Sequence, residues 1–302
     1  MRFVLISALI VMVGVIISFM VGMGVVEDLE MMAKPTLFFL LLFTSTGKIF
    51  SFVQFIGFFG PLIGIILGFD AINRERTSRT LSKLVSQPIY RDSIINAKFL
   101  AGVTTIAVVL TAIILLISGI GIPLLGIVPG PEEIMRLAIY LLISILYISF
   151  WLGISILFSV VFRSTATSAL ASLAVWIFFS FFVNLGGGFL ADAIAPMGKG
   201  PDVDPFLVSK HVQIQKITSS FSPVSLYSDA TSTILDPMRK TTRSLVLIGP
   251  MEKFSMYRFQ GPLSLLQSIL IVTPYLTSIV AITFICFGIC YFAFMRQEIR
   301  SV

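Results

Sequence analysis

The sequence predicts an all-α integral membrane protein with six transmembrane helices, both termini in the cytoplasm and a large extracellular segment before the last helix. Its 302 residues are 57% hydrophobic and only 12% charged, with a mean hydropathy of +1.01. Ordinary soluble domains carry about 25% charged residues. The apolar residues also gather in stretches long enough to cross a bilayer, which takes about 20 residues of helix. The bilayer is therefore the expected solvent for most of the chain.

Six stretches without an ionisable residue define the predicted spans, because about 18 or more apolar residues in a row are typical of a transmembrane helix. They are residues 3–26, 49–69, 99–120, 137–161, 168–186 and 274–295. The first could alternatively be a signal peptide, but its 24 residues exceed the roughly 7–15 of a signal h-region. A second apolar piece, Leu263–Val272, is separated from the last span by Pro274. It indicates a re-entrant or interfacial helix, or a kinked extension of the span.

The distribution of Lys and Arg predicts the orientation. Ten of these residues lie in the short segments on the side of the termini, six of them in the loop 70–98, against three in the opposite short loops. Short cytoplasmic loops carry the excess of positive charge. Both termini and the loop 70–98 are therefore expected in the cytoplasm.

The predicted extracellular segment, residues 187–262, is too long for a plain connection. Its residues 196–205 have turn chemistry. Beyond them, mostly apolar residues recur at helical spacing and predict an amphipathic helix lying on the outer face; these residues are Leu207, His211, Ile214, Ile217 and Phe221. Ser222 and Pro223 predict the cap and first position of another short helix, through about Leu235. We expect a small external cap on a single permease domain, residues 1–302.

The spans lack the side chains that several membrane functions require. Ion-coupled carriers and proton pumps place charged residues inside the membrane, and intramembrane proteases need paired aspartates or a histidine there. The only histidine is His211, which is expected to be a surface residue rather than a ligand. Cys286 and Cys290 share a helical face and are expected to be reduced packing residues. The twelve methionines indicate adaptable packing rather than copper binding. We therefore predict neither a catalytic residue nor a metal site.

ATP hydrolysis by this chain is not expected. The nearest approach to a phosphate-binding loop is Ser45-Thr46-Gly47-Lys48. It lacks the upstream glycine, and it lacks the Ser or Thr after lysine that would bind magnesium. The net charge of +6 lies mainly in short cytoplasmic segments and follows from topology, so no nucleic acid partner is predicted.

The second predicted span carries a glycine stripe. Gly60, Gly64 and Gly68 are four residues apart, with Pro61 between the first two. Glycines at this spacing line one helical face and let another helix approach closely. The stripe is predicted to pack within the monomer, to form a subunit interface or to line a path through the membrane.

The loop 70–98 is predicted to begin as a helix leaving the membrane. Glu75 is placed to pair with Arg79 at i,i+4. Leu81, Leu84 and Val85 form a short apolar ridge that ends before Pro88. A charged helix with such a ridge suits docking in a groove of a partner protein; the alternative is a solvated loop that only satisfies the charge rule.

The order of residues in this loop carries a resemblance to a known family. The residues concerned are Asp70, Glu75-Arg76, Thr80-Leu81, Leu84 through Pro88-Ile89, Arg91 and Ala97-Lys98-Phe99-Leu100-Ala101. This segment resembles the cytoplasmic loop of ABC type-2 transporter permeases, closest to the branch that includes the permease of the nitrous-oxide-reductase maturation system. Ala97 stands where glycine is usual. Residues 162–168, 222–227 and 295–300 extend the resemblance over most of the chain.

The resemblance implies a permease subunit of an ATP-driven exporter in the plasma membrane of a prokaryote. Its implied partners are a second permease copy, two separate ABC ATPase subunits that bind ATP and Mg²⁺, and membrane lipids. The segment around Thr80–Pro88 would be the coupling helix docked on the ATPase, whereas Glu75 and Arg76 would be structural. No cofactor is implied on this chain itself.

Two further expectations concern cargo and alternatives. Apolar, Phe-rich spans without buried charge favour an amphiphilic or lipid-like cargo over a bare ion. The alternative function is a membrane scaffold or assembly factor that transports nothing and uses residues 187–262 to hold a partner.

Overall fold

The computed structural model of the chain describes Met12 and residues 39–44, 51–78, 80, 90–125, 128–196, 205–236 and 263–296. Over these residues the fold is all-helical and contains no strand, as the sequence predicts. Five helices in this part of the chain are long and apolar enough to cross a membrane. They correspond to the last five predicted spans. The first predicted span, residues 3–26, lies outside the described residues apart from Met12.

The helices are numbered in chain order over the described residues. They are α1 (Leu41–Thr44), α2 (Phe52–Gly68), α3 (Asn73–Thr77), α4 (Arg91–Leu125), α5 (Pro131–Val161), α6 (Thr165–Ile194), α7 (Pro205–Ser219), α8 (Pro223–Leu235) and α9 (Leu265–Arg296). The long helices α4, α5, α6 and α9 extend beyond the predicted spans. A hydropathy criterion stops at the first charged residue, whereas the helix continues through flanking polar residues such as Asp92 and Glu133.

The two ends of the helix bundle are named here by one residue each. The Glu75 end gathers α3, the start of α4 and the end of α5, as the hydrogen bonds between them show. The Arg136 end gathers the start of α5, the end of α8 and the start of α9. Consecutive spanning helices therefore run in opposite directions between these ends.

Helix α5 lies at the centre of the bundle. It packs against α2, α4, α6, α8 and α9. Its large side chains Tyr140, Tyr147 and Trp151 are fully buried. A helix that is apolar on all sides is stable only inside other protein or lipid, and here neighbouring helices cover it.

The predicted glycine stripe of α2 lies against α5 of the same chain. A Cβ atom added to Gly64 would come within 2.7 Å of the Ile148 carbonyl oxygen, and one added to Gly68 would come within 2.9 Å of the Leu152 carbonyl oxygen. At Gly60 the nearest atoms belong to the Ile148 side chain, at 3.1 Å. Missing side chains thus let the two backbones approach closely.

Pro61 shapes the contact between α2 and α5. Proline has no amide hydrogen, so the carbonyl of Gly57, four residues earlier, receives no helical hydrogen bond from it. The Tyr147 hydroxyl of α5 donates to this carbonyl at 2.8 Å. The Tyr147 ring also stacks on Tyr227 of α8, with centroids 4.3 Å apart. One buried side chain therefore joins α2, α5 and α8.

Helix α6 contains a π-helical segment, Phe178–Phe182, halfway along its length. Such segments interrupt the regular hydrogen-bond ladder of an α-helix. The Ser222 hydroxyl, in the turn before α8, donates to the Phe179 carbonyl at 3.0 Å. Ser222 is also the N-cap of α8, accepting from the Ser225 amide. The cap predicted at Ser222 and the helix through Leu235 are both confirmed.

Helices α7 and α8 form a hairpin between the spanning helices. Helix α7 runs antiparallel to the end of α6, since His211 Nδ1 lies 3.1 Å from the Ala195 carbonyl oxygen and Thr218 packs at Gly187. The turn reaches Phe179, and α8 then returns along α5 to the Arg136 end. The predicted helix at Leu207–Phe221 exists as Pro205–Ser219 and packs lengthwise against α6; its placement on the outer face stays a prediction. The expectation that His211 is a surface residue was wrong, because this packing buries it.

Helix α9 is continuous from Leu265 to Arg296. It includes most of the apolar piece predicted at Leu263–Val272, and Pro274 lies within it. Of the alternatives for that piece, the structure has the extension of the span. The extra turns bring α9 to the end of α8, against which it packs.

Candidate functional site

The first predicted functional element, the loop 70–98, starts at the short helix α3. The buried Ser159 side chain of α5 accepts hydrogen bonds from the amides of Ile72 and Asn73, at 3.0 and 3.1 Å. The first amides of any helix lack partners within the helix. Here the cap comes from another helix rather than from the preceding residue, so the start of α3 is fixed to α5.

Arg76 makes a second link between α3 and α5. Its Nη1 donates to the carbonyl oxygen of Phe162, the residue that ends α5, at 3.4 Å, and to Asn73 Oδ1 at 3.4 Å. A cation at the carboxyl end of a helix is stabilised by the free carbonyl groups there. Arg76 therefore closes the end of α5 while holding α3 beside it.

Glu75 links α3 to α4 instead of to its own helix. Its carboxylate accepts from Lys98 Nζ at 2.8 Å and also from the Thr80 hydroxyl. The predicted partner, Arg79, lies outside the described residues. Both Glu75 and Lys98 remain partly exposed, and such pairs contribute only about 0.2–1 kcal/mol to stability. The pair matters more for the relative position of α3 and α4 than for stability.

The remaining residues of the predicted loop are placed only in part. Asp70 lies in the turn after α2, where its carbonyl accepts from the Arg74 amide at 2.8 Å. Arg91 begins α4. The predicted docking residues Leu81, Leu84 and Pro88 lie outside the described residues, so their role stays a prediction.

The geometry of the Glu75 end defines a mechanical junction. Three contacts join α3 to two spanning helices: the Ser159 cap and the Arg76 link to α5, and the Glu75–Lys98 pair to α4. A displacement of the segment that follows α3 would therefore act on α5 and α4 together. Among the residues of this junction that the structure describes, none has the arrangement of a nucleophile or general base.

A buried arginine at the Arg136 end was missed by the sequence analysis. Arg136 has an exposed fraction of 0%, and all five of its donor sites are used. Nε and Nη2 donate to Glu132, and the other bonds go to the Ile234 and Leu263 carbonyls and the Ser268 hydroxyl, at 2.7–3.2 Å. The sequence placed Arg136 in a short loop. The glutamates at i−4 and i−3 and Pro131 at a first-turn position are signals for a helix start that would have extended α5 to include it.

The neighbouring Glu133 is buried at the same end. Its carboxylate accepts from the Phe39 amide at 2.9 Å and from the Gly130 amide at 2.8 Å. It thereby caps α5 and holds the segment that leads into α1. Among the residues that the structure describes, no three His, Cys, Asp or Glu side chains gather as a metal site would need.

The family comparison agrees with this architecture. The model of the ABC-2 family transporter proteins matches residues 1–299. The chain belongs to this family. Members of this family are the membrane components of ABC transporters, and the chain is accordingly a multi-pass permease component. No curated protein matches the chain, and the more specific resemblance to the nitrous-oxide-reductase branch stays a prediction.

Proposed function

We propose that this ABC-2 permease is the membrane part of an exporter whose loop 70–98 receives movement from separate ATPase subunits. The observation that supports this most is the junction at the Glu75 end. There α3 is joined to α5 by Ser159 and Arg76 and to α4 by the Glu75–Lys98 pair. A loop that merely connected two spans would not need three contacts to two helices.

In the proposed mechanism the segment Thr80–Pro88 docks on an ATPase. The ATPase subunits bind ATP and Mg²⁺, and their closure moves the docked segment. The junction passes that movement to α5, the central helix, and to α4. The spans then exchange between two arrangements that the ATPase and the cargo stabilise differently, which is alternating access. Glu75 and Arg76 position the loop and take no part in chemistry.

The proposed assembly contains two permease copies and two ATPase subunits in the plasma membrane of a prokaryote. The apolar character of the spanning helices supports an amphiphilic or lipid-like cargo, for which a bilayer is the natural source. Since charged residues inside spans are characteristic of ion pathways, their absence from the apolar cores of the described spans supports this cargo class over a bare ion.

The proposal can be tested by removing the docking ridge. Leu84→Asp introduces a charge into the predicted apolar ridge and is expected to abolish co-purification of an ABC ATPase with the tagged permease. Ser82→Asp introduces the same charge in the same loop but outside the ridge, and it should leave co-purification intact. Both variants are compared with the native chain for yield and for elution as a folded protein in detergent.

Reconstitution in liposomes then separates an exporter from a scaffold. An exporter is expected to show ATP-dependent movement of labelled lipid or another amphiphile, and this movement should be lost in Leu84→Asp. If the ATPase binds Leu84→Asp as well as the native chain, the loop is not the docking site. An ATPase that binds normally but supports no movement of any amphiphile would favour the scaffold alternative.

A further inference from the structure

Helix α7 carries a continuous polar stripe on its exposed side. Ser209, Gln213, Lys216 and Ser220 follow the spacing i, i+4, i+7 and i+11 and are all exposed. On a helix this spacing places side chains along one line. Helical geometry extends to the last of them, because the Ser220 amide donates to the Lys216 carbonyl at 3.0 Å. The stripe thus runs from the Arg136 end to the tip of the hairpin.

A separate, short apolar stripe lies beside it at the hairpin tip, formed by the last turn of α7 and the turn that follows. Ile217 and Phe221 have exposed fractions of 55% and 73%. Ser220 and Phe221 are consecutive residues at the hairpin tip, so they lie at nearly the same depth. Ser220 belongs to the polar stripe and Phe221 to the apolar stripe. Near the tip of the hairpin the exposed side is therefore divided into a polar and an apolar half. The apolar stripe does not continue to the start of α7, because exposed Lys210 lies seven residues before Ile217 on the same line.

The hairpin tip lies deep in the bundle. Ser222 donates to the Phe179 carbonyl, halfway along α6. A helix of this length is about 45 Å long and the hydrocarbon layer about 30 Å thick, so its midpoint lies near the centre of the membrane. Tyr227, shortly after the tip, stacks on Tyr147, which is halfway along α5. Contacts with two spanning helices therefore place the hairpin tip at the same depth, near the centre of the membrane.

Exposed polar groups at this depth require water or protein around them. Non-helical backbone at membrane depth is tolerated only where protein covers it or water reaches it. A charged side chain such as Lys216, about one turn above Ser220, is costly in hydrocarbon. The Ser209 and Ser220 hydroxyls donate to the Phe206 and Lys216 carbonyls of their own helix, so Gln213 and Lys216 are the exposed groups of the stripe for which hydrocarbon is the least favourable environment.

We propose that the polar stripe of α7 lines a water-filled groove that opens at the Arg136 end and leads to the middle of the membrane. Lys216 makes this groove favour anions. The apolar stripe with Ile217 and Phe221 faces acyl chains. An amphiphile with an anionic headgroup and an apolar tail would match both stripes at once. This inference uses the outward orientation of the proposed function but not its ATPase coupling.

The groove can be tested by cysteine labelling at the hairpin tip in the intact membrane. Ser220→Cys and Phe221→Cys are made in the otherwise native chain, whose two cysteines, Cys286 and Cys290, are buried and give the background. A charged methanethiosulfonate reagent reacts with a thiolate in water but does not enter hydrocarbon. Applied to intact cells, it should label Ser220→Cys about ten times or more faster than Phe221→Cys, because of the cost of charge in hydrocarbon.

Charge selectivity is tested at the same position with two reagents of opposite charge. The quantity measured is the labelling rate of the anionic sulfonatoethyl reagent divided by that of the cationic trimethylammonium reagent. At Ser220→Cys this ratio should be higher than it is with a free thiol in solution. Adding Lys216→Glu should shift this ratio toward the cation by about fivefold or more, as local potential sets local ion concentration. Adding Lys210→Glu, which lies off the polar stripe, should shift it less.

Three results would overturn the inference. Absence of labelling at Ser220→Cys in folded protein that reacts fully after denaturation would mean that protein covers the stripe. Equal rates at Ser220→Cys and Phe221→Cys would mean that the tip is not embedded. Labelling only in inverted vesicles would mean that the groove opens to the cytoplasm. In each of these cases ATPase co-purification would still report separately on the proposed coupling.

Discussion

The Tyr147 hydroxyl donates a 2.8 Å hydrogen bond to the carbonyl of Gly57, and Pro61 is the reason that this carbonyl accepts from another helix. A proline in a spanning helix exposes the carbonyl four residues earlier, and in a membrane that group needs a partner. Tyr147 supplies the partner from α5. The same residue makes the stacked contact with Tyr227, so the part of α2 around Pro61 and the packing of α8 both depend on one side chain.

The first prediction concerns this dependence on Pro61. Tyr147→Phe keeps the ring stack but removes the donor and should lower stability by about 1 kcal/mol. In a Pro61→Ala background the substituted residue supplies its own backbone amide to the Gly57 carbonyl, and Tyr147→Phe should then cost less than half as much. A double-mutant cycle from unfolding in mixed detergent measures the difference. Tyr140→Phe is the control, since its cost should be the same in both backgrounds; equal costs for Tyr147→Phe would refute the coupling.

The second prediction concerns the close approach of α2 and α5. Gly64→Ala should destabilise the protein by about 1–3 kcal/mol, because overpacking against backbone atoms forces helices apart. Gly119→Ala in α4 is the matched control, since nothing lies within 4 Å of an added Cβ atom there. That change should be neutral or slightly stabilising. Thermal unfolding midpoints in detergent measure both variants, and an equal shift for the two would contradict the packing of the glycine stripe.

The third prediction separates coupling from stability at the Glu75–Lys98 pair. Glu75→Lys and Lys98→Glu should each reduce permease-dependent stimulation of the ATPase several-fold, while the double variant should regain most of it because attraction between the residues is restored. Stability should change by less than about 1 kcal/mol in the double variant, since the pair is partly exposed. ATPase rates in liposomes and unfolding midpoints provide the two measurements. Failure of the double variant to recover would mean that the pair does not transmit movement.

The fourth prediction concerns Arg136. Arg136→Met should leave the Ile234 and Leu263 carbonyls without their donor, at about 1–3 kcal/mol for each buried group. Arg136→Lys keeps the charge but has three donors in place of five, and its effect should be intermediate. Hydrogen exchange of α8 amides should rise in both variants. Glu132→Gln is the control, because Glu132 is half exposed; an equal rise in that variant would show that the charge pair, and not the carbonyl bonds, holds α8.

Most of the spanning helices could be predicted from hydropathy alone, because a helix that faces lipid must be apolar for about 20 residues. The exact ends could not, since polar residues such as Glu133 and Arg136 continue a helix once tertiary partners satisfy them. The cap at Ser222 was also predictable, because its hydrogen bond to the Ser225 amide is local.

The position of α7 and α8 could not be predicted from sequence in the same way. The helical spacing of apolar residues from Leu207 to Phe221 predicted an amphipathic helix and favoured a place on the outer face of the membrane. Its depth follows from contacts with residues distant in the chain, such as Ser222 with Phe179 and Tyr227 with Tyr147. In the loop, a local rule paired Glu75 with Arg79, whereas the contact with Lys98 spans 23 residues.

The hairpin also constrains how the protein is made. Helix α8 rests on α2 and α5, which precede it in the chain, and on α9, which follows it. Domains fold from the amino terminus as synthesis proceeds. The set of helices that α8 packs against is nevertheless incomplete until the last span has entered the bilayer. Arg136 likewise gains its bonds to Leu263 and Ser268 only then. Folding of the Arg136 end is thus completed by the final helix, and a nascent chain released before residue 263 would leave the hairpin without its α9 contacts for quality-control proteases to recognise.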